Sequence, residues 1–311
     1  MENCGKISSG APARFVKPYS SRTCKGKANH SSPWMGCARD RNLPSAIAGD
    51  QSVTVPRAGC DTETGVMNLA HARILPAGVI AVGFAILARA MGAVTDGGAI
   101  AGVLVAFILM LAGGFSGFIP LLTLFALTVI STAWGYKRKQ RLGVAEQKRG
   151  RRASQVFANL GAAAFCTVPA LWFPELTGVL FVAAAGALAE AAADTVSSEL
   201  GQATARGAYL ITDFRDVPIG TNGAISIEGT ISGCVAACIV AWISAVVGFV
   251  DWHATPVIAS AAIGGMFLDS IIGATWENSG RLGNDAVNFI STVFAADVAL
   301  IVSLIMQRMG A

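Results

Sequence analysis

From about residue 72 onward, long apolar runs separated by short polar stretches make up the chain. A helix needs about 20 mainly apolar residues to cross the hydrocarbon core of a bilayer. The runs approach that length and lack the strict alternation of transmembrane β-strands. Several runs are short or interrupted by glycine, so the pattern predicts seven or eight spanning helices. The candidate spans are residues 73–91, 98–113, 118–136, 156–173, 177–194, 225–250, 255–275 and 287–308.

The composition agrees with a membrane protein. Hydrophobic residues form 53% of the 311 residues and charged residues 14%, whereas soluble domains carry about 25% charged residues. The chain has 35 glycines, and small residues allow membrane helices to pack closely. We therefore predict an all-α fold, a polytopic transmembrane helical bundle whose partner is the lipid bilayer.

The first 70 residues have a different character. They are rich in Ser, Gly, Pro, Lys and Arg and show no periodicity. The sequence leaves three interpretations open: a disordered tail, a targeting segment, or an extension from a start codon assigned too far upstream. We predict a disordered or spurious extension at 1–70 and a polytopic membrane domain at 71–311.

One loop, residues 136–155, carries eight cations and the single acid Glu146. Cytoplasmic loops of membrane proteins are rich in Lys and Arg, so we predict that this basic loop is cytoplasmic. It also forms a patch that attracts anions. Its cations are Lys137, Arg138, Lys139, Arg141, Lys148, Arg149, Arg151 and Arg152.

Counting spans from the basic loop places most polar clusters on one face. Segments 94–99, 195–223 and 276–286 each lie an even number of spans away. Because most polar clusters lie on one face of the membrane domain, we expect a reaction to take place at that face. A channel or transporter would more often place polar groups at the bilayer midplane.

The stretch ALAEAAADTVSSELG, residues 187–201, puts three acids near the end of a span. Glu190 and Asp194 share a helix face because they are four residues apart. Glu199 faces the same site only if the helix bends. Acids inside a span are costly and are candidates for function, although Glu190 could instead pair with an arginine.

The stretch PIGTNGAIS, residues 218–226, has the residues of a turn. We expect Thr221 or Asn222 to cap a helix that starts near Ala224. Free backbone N–H groups at a helix N-terminus suit phosphate. An ordinary capped helix start is the alternative.

A third cluster lies between residues 264 and 292. Asp269 and Ser270 fall inside a predicted span, and Asn284 and Asn288 share a face of the next helix. A helix–helix hydrogen bond is the alternative, but a carboxylate is an expensive way to make one.

Together these clusters combine acids suited to Mg²⁺, a turn suited to phosphate and a basic loop. Mg²⁺ is commonly held by one or two carboxylates and by the substrate's phosphates. Phosphoryl transfer depends mainly on positioning and charge neutralisation. The chain contains no Walker A motif and no GxGxxG opening a βαβ unit, so a nucleotide would need a site particular to a membrane fold.

The chain resembles the integral-membrane phytyl-phosphate kinases and transmembrane protein 19-like proteins. The matching blocks include TDGGAIAG, GALAEAAADTVSSELG, PIGTNGAISIEGTISG and DSIIGAT with NDAVNFIST, in family order over roughly residues 75–308. Two departures are visible: the segment WENSGRLG is short, and Glu190 stands where small residues are commoner.

The resemblance implies a CTP-dependent kinase that converts a prenyl monophosphate to its diphosphate. Asp194 and Asp269 are the predicted catalytic residues, with Glu199 as a third ligand for Mg²⁺. The predicted residues for binding nucleotide and phosphate are Arg149, Arg151, Arg152, Thr221, Asn222, Gly223, Asn284 and Asn288.

We therefore expect a membrane transferase that binds a nucleotide and a prenyl monophosphate and has no nucleic-acid partner. We expect it in the cell's inner membrane, or in a plastid membrane. A transporter or flippase for an anionic lipid or metabolite is the main alternative. A membrane scaffold is a third, but it leaves Asp269 unexplained.

Overall fold

The structure is a computed structural model that describes residues 62–145 and 150–310. A small antiparallel sheet accompanies the helices of these residues, with strands β1 (Ala208–Leu210), β2 (Asp216–Val217) and β3 (Ala224–Ile225) in the order β2-β1-β3. The α-helices are α1 (Thr62–Ala90), α2 (Asp96–Ala133), α3 (Tyr136–Leu142), α4 (Ala153–Thr167), α5 (Thr177–Thr204), α6 (Ile227–Val246), α7 (Thr255–Ile272) and α8 (Asn284–Met309).

Six helical segments of the described chain are long and apolar enough to cross a membrane, and Ile74–Ala90 is a shorter apolar helix. Many large apolar side chains lie on the outside, such as Leu75, 76% exposed, and Phe165, 79% exposed. Exposed apolar surface of this kind suits contact with lipid rather than water. The chain is an integral, multi-pass membrane protein with an all-α fold, as predicted.

Helix α2 turns back on itself at Gly114. That residue has φ 62° and ψ −148°, a backbone conformation open almost only to glycine. In a straight helix, residues eight apart would be about 12 Å apart along the axis, yet a Cβ at Gly117 would lie 2.6 Å from the carbonyl oxygen of Leu109. The two halves of α2, residues 96–113 and 115–133, therefore form a hairpin, as the separate spans 98–113 and 118–136 predicted.

Helix α5 lies at the centre of the bundle and packs against α2, α4, α6, α7 and α8. Its middle is built from small residues, and all of residues 182–193 are buried. Close helix approach explains this choice, since a Cβ at Gly186 would lie 2.9 Å from that of Ala299 on α8. The acidic stretch is thus on the most enclosed helix.

The segment between α5 and α6 corrects one expectation from the sequence. Residues 224–225 form strand β3, and α6 begins only at Ile227. Its N-cap is Ser226, whose side chain accepts a hydrogen bond from the backbone N–H of Gly229 at 3.1 Å. Thr221 and Asn222 therefore do not cap this helix.

The N-terminal part of the chain is described only from residue 62. Helix α1 begins at Thr62, which is before the boundary predicted between residues 70 and 71. The predicted extension at 1–70 otherwise lies outside the described residues.

Candidate functional site

A polar cavity of about 360 Å³ lies at one end of the bundle. It receives side chains from five stretches of the chain. Of the residues predicted to bind phosphate or metal that the structure describes, all except Arg152 line it. Two of the segments that the span count places on one face, 195–223 and 276–286, contribute to this cavity, and segment 94–99 does not. The lining falls within residues 144–159, 194–208, 219–226, 269–277 and 284–288.

The carboxylates of the cavity come from α5 and from the end of α7. Asp194 and Asp269 both line it, together with Glu277. The three acids interact electrostatically with one another, and Asp194 is also attracted to Arg151. An opposite charge nearby favours the ionised form of a carboxylate, so a cation bound beside these acids would stabilise their charges.

Glu190 lies one helical turn before Asp194 and is fully enclosed, with 1% exposure. It interacts electrostatically with Asp194 and Asp269. Its Cγ is so close to α7 that a Cβ at Gly265 would lie 2.5 Å from it. No hydrogen-bond partner for its Oε1 exists among the described residues, and no arginine pairs with it there.

The contacts of Glu199 differ from those expected of the predicted third ligand for Mg²⁺. Its Oε2 forms a buried ion pair with Lys139 of α3, and its Oε1 accepts a hydrogen bond from Thr132 at 3.1 Å. Both oxygens are therefore engaged by the protein, although the residue borders the cavity. No three His, Cys, Asp or Glu side chains converge as metal ligands within the described parts of the chain, so the predicted three-acid set is not formed.

The basic loop contributes Arg151 to the cavity. The loop's backbone is fixed to the turn between α1 and α2: Arg151 N–H donates to Ala93 O at 2.9 Å and Thr95 N–H donates to Arg151 O at 3.0 Å. Gly150 has φ +76°, and a Cβ there would lie 2.6 Å from Gly92 O. Arg152 is exposed at the start of α4 and does not line the cavity. Arg149 lies outside the described residues.

The glycine-rich turn packs on the end of α7. Gly223 has φ +73°, and a Cβ there would lie 2.5 Å from Ser270 O and would also collide with the backbone of Ala274. The side chain of Asn278 donates to Asn222 O at 3.1 Å. This close fit places Thr221, Asn222 and Gly223 beside Asp269 and Ser270 on the cavity wall.

Helix α7 ends in one π-helical turn, Gly273–Glu277, where Asn278 N–H donates to Gly273 O at 3.2 Å. Turns of this kind occur frequently at functional sites. This turn brings Glu277 to the cavity and Asn278 to the glycine-rich turn. The sequence showed Glu277 four residues after Gly273 but gave no sign of the wider turn.

Asparagines join α4 and α8 at the cavity. The amides of Asn288 and Asn159 lie 3.0 Å apart. With its nitrogen facing α7, Asn288 donates to Asp269 Oδ2 and to Asn284 O, each at 3.2 Å. Ser291 Oγ also lies 3.3 Å from Asp269 Oδ2. Asn288 and Ser291 therefore contact Asp269 directly, and Asn284 contacts Asn288. Asn159 is a site residue that the sequence analysis missed.

The donor set suits a magnesium–phosphate group. Asp194 and Asp269 supply hard carboxylate oxygens, and Arg151 supplies a guanidinium for a phosphate. The hydroxyl and amide groups of the glycine-rich turn and of residues 195–198 add neutral donors. The geometry can therefore bind a polyanion together with a cation.

Some known proteins similar to this chain are described as membrane proteins. The chain is 32% identical to the uncharacterized membrane protein sll0875 of Synechocystis over 196 residues, which are 62% of this chain and 76% of that protein. It is 30% identical to the chloroplastic protein VTE6 of Arabidopsis thaliana over 200 residues, 61% of this chain and 59% of VTE6. The uncharacterized membrane protein MJ0933 of Methanocaldococcus jannaschii is 29% identical over 66% of this chain and 84% of its own length. No solved structure matches the chain.

The family match spans most of the membrane domain and includes every part of the cavity. Residues 79–296 match the family described as integral membrane protein DUF92. That range holds Arg151, Asp194, the glycine-rich turn, Asp269 and the two asparagines. The chain therefore belongs to the integral membrane protein DUF92 family, and its resemblance to the phytyl-phosphate kinase and transmembrane protein 19-like proteins is confirmed.

Proposed function

We propose that this protein is a kinase that transfers the terminal phosphoryl group of a nucleotide to a prenyl monophosphate. One observation carries the proposal: a single cavity gathers an arginine, two aspartates and a glycine-rich turn at one end of a membrane domain. Phosphoryl transfer requires this combination of positioning and charge neutralisation. CTP is the donor that the family resemblance implies.

The reaction needs little covalent chemistry from the chain. An oxygen of the prenyl monophosphate forms a bond to the γ-phosphorus, while the bond from that phosphorus to the β–γ bridging oxygen breaks and the nucleoside diphosphate leaves. The acceptor is already ionised near neutral pH, because the second pKa of a phosphate monoester is about 6. No general base is therefore required.

Different side chains would bind the phosphates and the metal ion. Arg151 would hold phosphate oxygens, and the glycine-rich turn would orient the nucleotide. Asp194 and Asp269 would hold Mg²⁺, which when bound neutralises phosphate charge and orients the transferred group. Asn288 and Ser291 would keep Asp269 in place, and Glu199 would hold the basic segment α3 against α5.

The direct test uses purified protein in lipid nanodiscs with Mg²⁺, CTP or ATP, and a panel of prenols and prenyl monophosphates. We expect release of CDP that depends on one class of monophosphate. Absence of turnover across the panel would contradict the proposal. Transport of a labelled anionic lipid phosphate in proteoliposomes, without nucleotide turnover, would favour a transporter instead.

A substitution tests the assignment of Asp194. The variant Asp194→Asn keeps the size of the side chain but removes its charge, so we expect turnover to fall at least about a hundredfold, since charge stabilisation in an active site is commonly worth that much. Asp216→Asn, an exposed acid in β2 outside the cavity, should keep its activity. Full activity of Asp194→Asn would remove this residue from the metal site.

A further inference from the structure

A second cavity adjoins the polar one and has a different character. It encloses about 270 Å³ between α1, the two halves of α2 and α4. Its walls are mainly apolar, with Phe84 of α1, Gly102, Leu124 and Phe125 of α2 and Val156 of α4. The hairpin in α2 creates this space, because both halves of the helix contribute to the wall.

The two cavities share one polar wall. Arg151, Gln155 and Asn159 line both of them. Gln155 and Asn159 are four positions apart and share one face of α4, and Arg151 lies in the extended segment just before that helix. These three polar side chains thus lie between the polar cavity and the apolar cavity, with the guanidinium of Arg151 at the boundary.

This arrangement matches the chemistry of a lipid phosphate. The anionic head of such a molecule needs a cation and hydrogen-bond donors, while its tail gains free energy by leaving water for apolar surroundings. We propose that the apolar cavity binds the first part of the substrate's isoprenoid tail, with the monophosphate at Arg151. This inference rests on the proposed function, because it assigns a binding site to the acceptor of that reaction.

The size and position of the cavity indicate how much of the tail it holds. Sites for small molecules commonly enclose about 300–1,000 Å³, so a cavity of 270 Å³ holds only a short part of a long chain. Met91, directly after α1, lines the cavity and is 54% exposed. The rest of the tail would leave there into the bilayer, so the site sets no upper limit on chain length.

Two glycines provide a matched pair for the test. Gly102 of α2 lines the apolar cavity and Gly83 of α1 does not. Both are helical, and neither would have an atom within 4 Å of an added Cβ. Gly102→Phe should therefore fill the cavity, whereas Gly83→Phe should add the same ring on the lipid side without filling it.

The measurement is binding of prenyl monophosphates of 5, 10, 15 and 20 carbons to the full chain in nanodiscs. For Gly102→Phe we expect affinity for the longer chains to fall about tenfold or more, because each buried methylene contributes several-fold in binding. The 5-carbon ligand occupies only part of the cavity, so it should lose less affinity than the longer chains, and every ligand should bind to Gly83→Phe as before. Unchanged binding of all lengths to a folded Gly102→Phe variant would overturn the inference, as would equal loss for all lengths.

A second measurement needs no substitution. A prenyl monophosphate with a diazirine on its first isoprene unit should label α1, α2 and α4, and an unlabelled prenyl monophosphate should compete. Labelling of α6 to α8 would overturn the inference, and competition by bulk phosphatidic acid alone would identify the site as a position for bilayer lipid. Because both measurements report binding, an absence of turnover would contradict the kinase proposal without affecting them.

Discussion

A buried ion pair between Lys139 and Glu199 joins α3 to the core of the bundle. Lys139 is 0% exposed and Glu199 is 8% exposed. Lys139 Nζ also donates to Ser131 O at 3.1 Å and to Thr132 O at 2.7 Å. The ammonium group is therefore fully partnered, and so α3 is tied to both α2 and α5.

Removal of one partner leaves the other charge buried and unpaired. We expect Lys139→Met to lower the free energy of unfolding by about 3–5 kcal/mol, the cost typical of breaking a buried pair. The double variant Lys139→Met with Glu199→Leu should recover part of the loss, because no isolated charge remains. Reversible unfolding in mixed detergent micelles measures each value.

The exposed pair between Arg89 and Asp96, joined at 2.5 Å, is the control. Its side chains are 51% and 86% exposed, and exposed pairs contribute about 0–1 kcal/mol. Asp96→Asn should therefore change stability little. Equal effects of Lys139→Met and Asp96→Asn would show that the buried pair adds no stability.

At the scale of the elements, the contact between the glycine-rich turn and α7 decides the shape of the polar cavity. Gly223 has φ +73°, and a Cβ there would collide with Ala274. Gly223→Ala should therefore displace the turn and weaken nucleotide binding about tenfold or more, a loss of about 1.4 kcal/mol. Calorimetric titration of the protein with the nucleotide measures this change.

The variant Gly280→Ala is the control that distinguishes a collision with α7 from backbone strain at a positive φ. Gly280 has φ +71° but would have no atom within 4 Å of an added Cβ. Gly280→Ala carries the same conformational cost of about 1–2 kcal/mol without displacing α7. Equal loss of binding in both variants would attribute the effect to strain alone.

The helices could be predicted from the sequence, whereas the short strands and one buried ion pair could not. Long apolar runs define the helices, and Asp194 and Asp269 stand out because a charge in such a run is rare. Strands β1 to β3 have two or three residues each, too few for a periodic pattern, so the segment before α6 was wrongly assigned as a capped helix start. Sequence spacing gives no sign of the pair between Lys139 and Glu199, 60 positions apart.

At the scale of the whole molecule, the polar cavity unites loops that must lie on one side of the membrane. Phe214 and Ser279 are exposed near that end, whereas Glu175 and Asp251 are exposed in the opposite connections. The cations around Lys137 and Arg138 favour the cytoplasmic side for the cavity.

Single cysteines introduced at these four positions in a cysteine-free background test both the span count and the orientation. In spheroplasts, a membrane-impermeant maleimide should label Glu175→Cys and Asp251→Cys directly, and should label Phe214→Cys and Ser279→Cys only after lysis. The reverse pattern would put the cavity outside the cell, away from the nucleotide pool, and would contradict both the orientation and a kinase that uses that pool. Labelling of Phe214→Cys and Ser279→Cys from different sides would break the even span count that brings the two loops to one cavity.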